Sequence, residues 1–217
     1  DPFFLNMPPQ GDHSGEGVLV SKTYRNGDTY EGYFLRGKRH GRGCYTHKSG
    51  DTYSGPFRDG LMHGHGVFRW AHGDVYEGNF QDGDMCGHGT KRMVDGSVYT
   101  GEWKRDKADG VGRKTFANGD VYHGAHEKDL RQGHGTYTYA LGTVVTCHWE
   151  RGVATGIGRI VYGSGGRYEG EIYRSLPQGR GELVSNSGLV MRGLWHKGRL
   201  SGNGVMIEAD GTEPVSY

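Results

Sequence analysis

Twelve histidines and three cysteines are the residues of this chain best able to hold a metal or act as nucleophiles. His40, His63 and Cys86 stand 23 residues apart, each just before a Gly-x-Gly. Zinc needs donor atoms at about 2.0–2.3 Å. If each 23-residue interval folds as two strands, such residues lie about 10 Å apart and cannot share one ion. His63 and His65 straddle Gly64 and would point the same way in a strand, which gives two ligands only. A metal shared between two chains stays open. The recurring Gly-x-Gly never extends to Gly-x-Gly-x-x-Gly before a helix, so it is not a phosphate cradle. No Ser, His and Asp grouping stands apart, and Glu31, Glu77, Glu169 and Glu171 read as solvent-facing. The expectation is a chain with no catalytic site, no metal and no cofactor.

Basic residues form two groups. Arg36, Lys38, Arg39 and Arg42 fall within seven residues, and Lys91, Lys104, Arg105, Arg113 and Lys114 lie in two successive intervals. They are the candidates for contact with an anionic surface, to which each basic residue contributes on the order of 1 kcal/mol. The formal net charge is only +1, so there is no global drive toward nucleic acid.

What positions all of these residues is a period. Units of 23 residues begin at Tyr30, Tyr53, Tyr76, Tyr99, Tyr122, Val145, Tyr168 and Met191. Counting from each start, positions 12, 14 and 21 are Gly in all eight, and position 3 is Gly in all but one, where Cys147 stands. Position 5 carries Phe34, Phe57, Phe80, Trp103, His126, Trp149, Ile172 and Trp195. Positions 1, 3 and 5 share one face of a strand. Gly at position 3 leaves room for a ring from a neighbouring strand. Asp-Gly and Asn-Gly pairs near positions 8 and 21 are hairpin signals. Each unit therefore reads as two short antiparallel strands, which need stacking on further units to be stable.

The motif Tyr-x-Gly-x-Phe/Trp-x-x-Gly-x-x-His-Gly-x-Gly, best kept in Tyr30 to Gly43 and Tyr53 to Gly66, resembles the MORN repeat (membrane occupation and recognition nexus). The resemblance implies a scaffold of the kind that organises cytoskeletal structures beside a membrane, notably in protists. It also implies phosphoinositide binding as an alternative, or the repeat region of a lipid kinase or lysine methyltransferase. Partners expected from it are cytoskeletal proteins and anionic phospholipid headgroups. The expected place is the cytoplasm, at the cytoskeleton and the membrane periphery.

The fold expected is all-β, a single elongated and twisted sheet of stacked hairpins. Residues 1–29 read as a degraded first unit with a long loop, 30–213 as eight repeats, and 214–217 as a tail. Nine hairpins make about 18 strands and a length of about 85 Å. Forty-two glycines and a 33% apolar content fit a thin structure in which rings supply the buried area. The ring row Tyr30, Phe34, Tyr53, Phe57, Tyr76, Phe80, Tyr99, Trp103, Tyr122, Trp149 and Tyr168 is the expected core and the candidate protein-binding groove. The last unit carries Met191, Leu194, Trp195, Val205, Met206 and Ile207, an apolar end where capping repeats are polar. That predicts a tail-to-tail homodimer through the C-terminal edge.

Overall fold

The computed structural model describes residues 17–207. Of the degraded unit read over residues 1–29 only 17–29 are described, and the 214–217 tail lies outside the described residues. Strands run β1 (Val18–Thr23), β2 (Thr29–Leu35), β3 (Lys38–Thr46), β4 (Thr52–Arg58), β5 (Leu61–Met62) and β6 (Gly64–Arg69). They continue as β7 (Val75–Gln81), β8 (Asp84–Arg92), β9 (Val98–Lys104), β10 (Lys107–Thr115), β11 (Val121–Glu127) and β12 (Leu130–Thr138). The last six are β13 (Val144–Glu150), β14 (Val153–Val161), β15 (Arg167–Tyr173), β16 (Leu176–Val184), β17 (Val190–His196) and β18 (Arg199–Ile207).

Apart from β5 and β6, each strand pairs antiparallel with the next, from β1 on β2 to β17 on β18, in one open sheet. β5 and β6 are two pieces of one strand, both paired with β4 and broken at His63. The described residues contain no helix, so none could cross a membrane. Seventeen strand positions at about 4.8 Å extend about 80 Å, and strand twist turns one end of the stack relative to the other.

The unit from Tyr76 shows why the sequence takes this form. β7 turns into β8 through Asp82 (φ 53°) and Gly83 (φ 100°). Positive φ at both residues is the two-residue turn whose twist matches that of the flanking strands. β8 then returns with two residues too many, Gly87 and His88. Asn79 faces Cys86 but Gly78 faces Gly89, so the strand bulges at Gly87, which sits at φ 55°. A bulge of this type needs a left-handed residue, which explains glycine at position 12 of all eight units. The bulge also brings the glycines of positions 3 and 14 opposite each other. The row Gly66, Gly78, Gly89, Gly101, Gly112, Gly124 and Gly135 crosses seven strands without a side chain.

That bare row is filled by the leading tyrosines. A Cβ on Gly78 would lie 2.5 Å from the Tyr76 hydroxyl and 2.5 Å from the Cα of Gly89. The ring over Gly89 comes from the neighbouring strand, as expected, while the ring over Gly78 comes from its own strand. Tyr30, Tyr53, Tyr76, Tyr122 and Tyr168 are fully buried in a sheet that has no second layer. The position 5 ring wedges edge-on between two tyrosines, as Phe80 does at 5.0 Å from Tyr53 and 5.2 Å from Tyr76. Such T-shaped pairs contribute about 0.5–1.5 kcal/mol each beyond burial.

Candidate interaction surfaces

The eleven rings of the expected groove are core. Phe57, Phe80, Trp103 and Trp149 are as buried as the tyrosines, and only Phe34 at the start of the array is half-covered. The tyrosine hydroxyls are also taken. Those of Tyr30, Tyr53, Tyr76, Tyr99, Tyr122 and Tyr168 donate to the carbonyls of Tyr33, Pro56, Asn79, Glu102, Ala125 and Glu171, at 2.8–3.1 Å. Burial pushes the phenols of Tyr30, Tyr99, Tyr122 and Tyr168 up to about 12. The indole N–H groups of Trp103, Trp149 and Trp195 donate to the carbonyls of Gly89, Gly135 and Gly181. These side chains hold the sheet together and offer a ligand neither rings nor polar tips.

Successive units are clipped by an acid at position 22, which the sequence reading passed over. Asp28, Asp51, Asp74 and Asp120 accept from the backbone N–H groups of Lys48, Ala71, Val94 and Ala140 at 2.7–3.0 Å. Asp28 and Asp120 also take the hydroxyls of Tyr45 and Tyr137. The Tyr45 hydrogen bond, with those from Lys48 and Asn26, holds the Asp28 carboxyl down at about 2 against the cost of burial. The sequence signal was the acid that follows position 21 in Asn-Gly-Asp, Ser-Gly-Asp and His-Gly-Asp.

The basic candidates separate onto three surfaces. Arg39, Lys91 and Lys114 lie on the ring face. Arg39 stacks over Tyr45 at 4.6 Å and Phe57 at 5.1 Å and donates to the Gly60 carbonyl at 2.8 Å. Lys91 sits 4.3 Å from the Trp70 ring centre and pairs with Asp74 at 3.1 Å, and Lys114 lies over Phe116. Arg42 and Arg113 alternate onto the opposite, open face. Arg36, Lys38, Lys104 and Arg105 stand at the margin formed by the tight turns. The structure therefore does not bring Lys91, Arg113, Lys114 and Arg105 into one patch, and Arg39 is committed to packing.

At the C-terminal end Trp195 is buried against Tyr168, with ring centres 5.4 Å apart. Among the expected contact residues it belongs to this chain's core. Leu194 and Val205 are 56% and 41% exposed on the open face, and Met191, Met206 and Ile207 are half-buried. Beside them lies a shallow trough of about 770 Å³ lined by Glu169, Arg180, Glu182, Arg192, Leu194 and Ser201. Among the described residues no group of three or more His, Cys, Asp or Glu could hold a metal ion. The thiols of Cys44, Cys86 and Cys147 are pushed up by burial, away from the thiolate form that reacts.

Periodic hairpins with glycine bulges, tyrosine-filled glycine rows and acid clips define a repeat protein built on one open sheet. The MORN repeat family model matches residues 30–52, 53–75, 76–98, 99–121, 122–144, 148–167, 168–190 and 192–213, and the chain belongs to that family. No curated protein matches the sequence. Among solved structures, the TCP10 domain of Danio rerio CPAP in complex with a peptide of Danio rerio STIL is similar. It is 11% identical with a TM-score of 0.51, covering 92% of this chain and 99% of that one. The G-box domain of the microcephaly protein CPAP gives a TM-score of 0.51 at 14% identity, covering 93% and 98%. At these identities the likeness is one of fold.

Proposed function

We propose that the chain is a non-enzymatic scaffold that associates with itself tail to tail and organises cytoskeletal assemblies in the cytoplasm, at the membrane periphery. The observation that carries this reading is the C-terminal edge. β18 has β17 as its only strand partner among the described residues, and Leu194 and Val205 stand exposed beside it. Open edges template further pairing and are rarely left bare. A two-fold contact between two such ends satisfies both at once. A long single-layer sheet offers extended surface, which suits protein partners. The zebrafish domain of the same fold, bound to a peptide of another protein, supports partners of that kind. Anionic headgroups are a weaker reading, because the basic candidates lie on separate surfaces.

Light scattering tests the self-association. The intact chain at tens of micromolar is expected at twice its mass of 23.9 kDa. Leu194→Asp with Val205→Asp is expected to give monomers with an unchanged melting temperature, since neither side chain is in the core. A wild-type mass of 23.9 kDa would refute the dimer.

A further inference from the structure

The tight turns carry a pattern that packing does not explain. The first residue of the turn is Arg36, Asp59, Asp82, Arg105, Lys128, Arg151, Arg174 or Lys197, and in each its φ lies between 47° and 53°. Left-handed backbone of this kind suits Gly, Asn and Asp, and the second and third full units use Asp. The last five units use a long basic residue at every turn. The backbone N–H groups of Lys128, Arg151, Arg174 and Lys197 bond to Asp109, Gln132, the Ala154 carbonyl and Gln178, which holds the turn but makes no use of a long basic side chain. A local preference broken five times in succession marks a side chain held for something outside the fold. All five side chains are exposed. None has an ion pair among the described residues, and the Arg174 guanidinium lies over the Tyr173 ring at 5.4 Å. The acids nearest them are partly engaged: Asp106 accepts from the Met85 N–H, and Asp129 takes the Ala108 N–H and the Lys107 ammonium. Glu127 and Glu150 stand on the strands just before the second and third of these turns. The turn after Arg105 carries Asp129, while the turns after Lys128, Arg151 and Arg174 carry no carboxylate.

We propose that this margin, from Arg105 to Lys197, is a docking rail for an extended acidic segment of a partner protein. The inference rests on the scaffold reading in taking a protein as partner, and it does not require self-association. The spacing selects the occupant. Successive turns are two strand spacings apart, about 10 Å at the middle of the sheet, and twist lengthens this at the margin. An extended peptide advances about 3.3 Å per residue, so a carboxylate at every third or fourth residue meets each turn. The five positions span about 40 Å, the reach of about 12 extended residues. A flexible chain can follow a row that winds with the sheet, whereas a flat bilayer meets only part of a winding row. Single-stranded nucleic acid uses aromatic platforms beside its basic groove. Here Tyr173 is the one exposed ring flanking these turns among the described residues.

The test uses a fluorescein-labelled peptide of six Glu-Gly-Ser repeats, followed by anisotropy at low salt. The wild-type chain is expected to bind it, more weakly as salt rises, and to ignore the matching Gln-Gly-Ser peptide. Lys128→Asp with Arg151→Asp and Arg174→Asp is expected to weaken binding at least about tenfold. Aspartate already occupies this turn site at Asp59 and Asp82, so the turns are expected to keep, which circular dichroism checks. Arg36→Asp with Lys38→Asp and Lys48→Asp makes the same charge change elsewhere and is expected to leave binding intact. No binding by the wild type, equal loss in both variants, or no loss in the first overturns the proposal. Tighter binding to phosphatidylserine vesicles or to oligo-dT than to the peptide overturns the choice of occupant. Light scattering on the same samples reports the dimer separately, so either reading can fail alone.

Discussion

Gly78→Ala puts one methyl group where the structure has no room. Its Cβ would meet the Tyr76 hydroxyl at 2.5 Å, the ring carbon Cζ at 2.7 Å and the Cα of Gly89 at 2.5 Å. Gly78 is not in the left-handed region, so backbone strain does not confuse the result. Either Tyr76 must leave a seat in which it is fully buried, or β7 and β8 must part. Forcing a methyl into a filled site costs about 1–3 kcal/mol. Losing the 3.1 Å hydrogen bond from Tyr76 to the Asn79 carbonyl adds about 1 kcal/mol. Removing a glycine from the unfolded chain returns about 0.4–1 kcal/mol. The net expectation is a loss of about 1–3 kcal/mol in urea unfolding, against less than about 0.5 kcal/mol for Glu77→Ala on the open face. Tyr76→Leu in the Gly78→Ala background is expected to recover part of the loss, a coupling that a double-mutant cycle reads directly. A loss below about 0.5 kcal/mol, or strict additivity with Tyr76→Leu, would show that the ring is not what requires the glycine.

Two further expectations concern pH. His126 takes the place of a ring between Tyr99 and Tyr122, at 5.1 and 5.0 Å, with its Nδ1 buried and unpartnered. Burial, helped by Lys114 and Arg131, lowers its pKa from 6.5, so the fold favours the neutral ring. Its contribution is whole above pH 6.5 and is lost as pH falls below that. His126→Phe is therefore expected to stabilise the chain more at pH 5 than at pH 8, and an equal gain at both would refute the assignment. Asp28 is held down at about 2, chiefly by Tyr45, against 3.8 when free. The stability it contributes is present above pH 3.8 and lost as pH falls toward 2, so Asp28→Asn should flatten the acid limb of unfolding, and an unchanged limb would refute the clip.

The period, the hairpins and both turns were legible because each has a local signature in glycine or Asp-Gly. The bulge at position 12 was not legible, since a constant glycine reads equally as turn, close approach or left-handed kink. Without the bulge, nothing reveals that Gly78 faces Gly89, and so one ring covering both glycines could not be foreseen. The same step explains the groove. A ring row with polar tips looks available for binding until each hydroxyl is seen to bond the carbonyl three residues ahead. Trp195 and Arg39 were misjudged because a terminal unit and a charged side chain both suggest exposure, while Trp195 packs on Tyr168 of the preceding unit and Arg39 stacks on Phe57 of the next. The rail was missed for a simpler reason: Lys128, Arg151, Arg174 and Lys197 are isolated in sequence, and only the stack lines them up.

The unit that departs from the pattern shows what the pattern is for. Val145 stands where the other early units have tyrosine, and the same unit has Cys147 where they have glycine. Both residues are buried. With no ring to cover, the space above the backbone takes the Cys147 side chain. The Cys147 Cβ and the Ile172 side chain crowd the site above Gly158, as a tyrosine ring does above Gly135. Met191 likewise replaces the tyrosine of the last unit, and there Leu200 lies over Gly193 and Gly204. Glycine at position 3 thus goes with a side chain laid over it and a facing glycine close against it: the tyrosine of its own unit or, in the last unit, Leu200. A thin sheet can be stable when each unit carries its own filling in this way. The volume is closed within one hairpin, and the position 5 side chain, joined at four junctions by the position 22 acid, ties it to its neighbour.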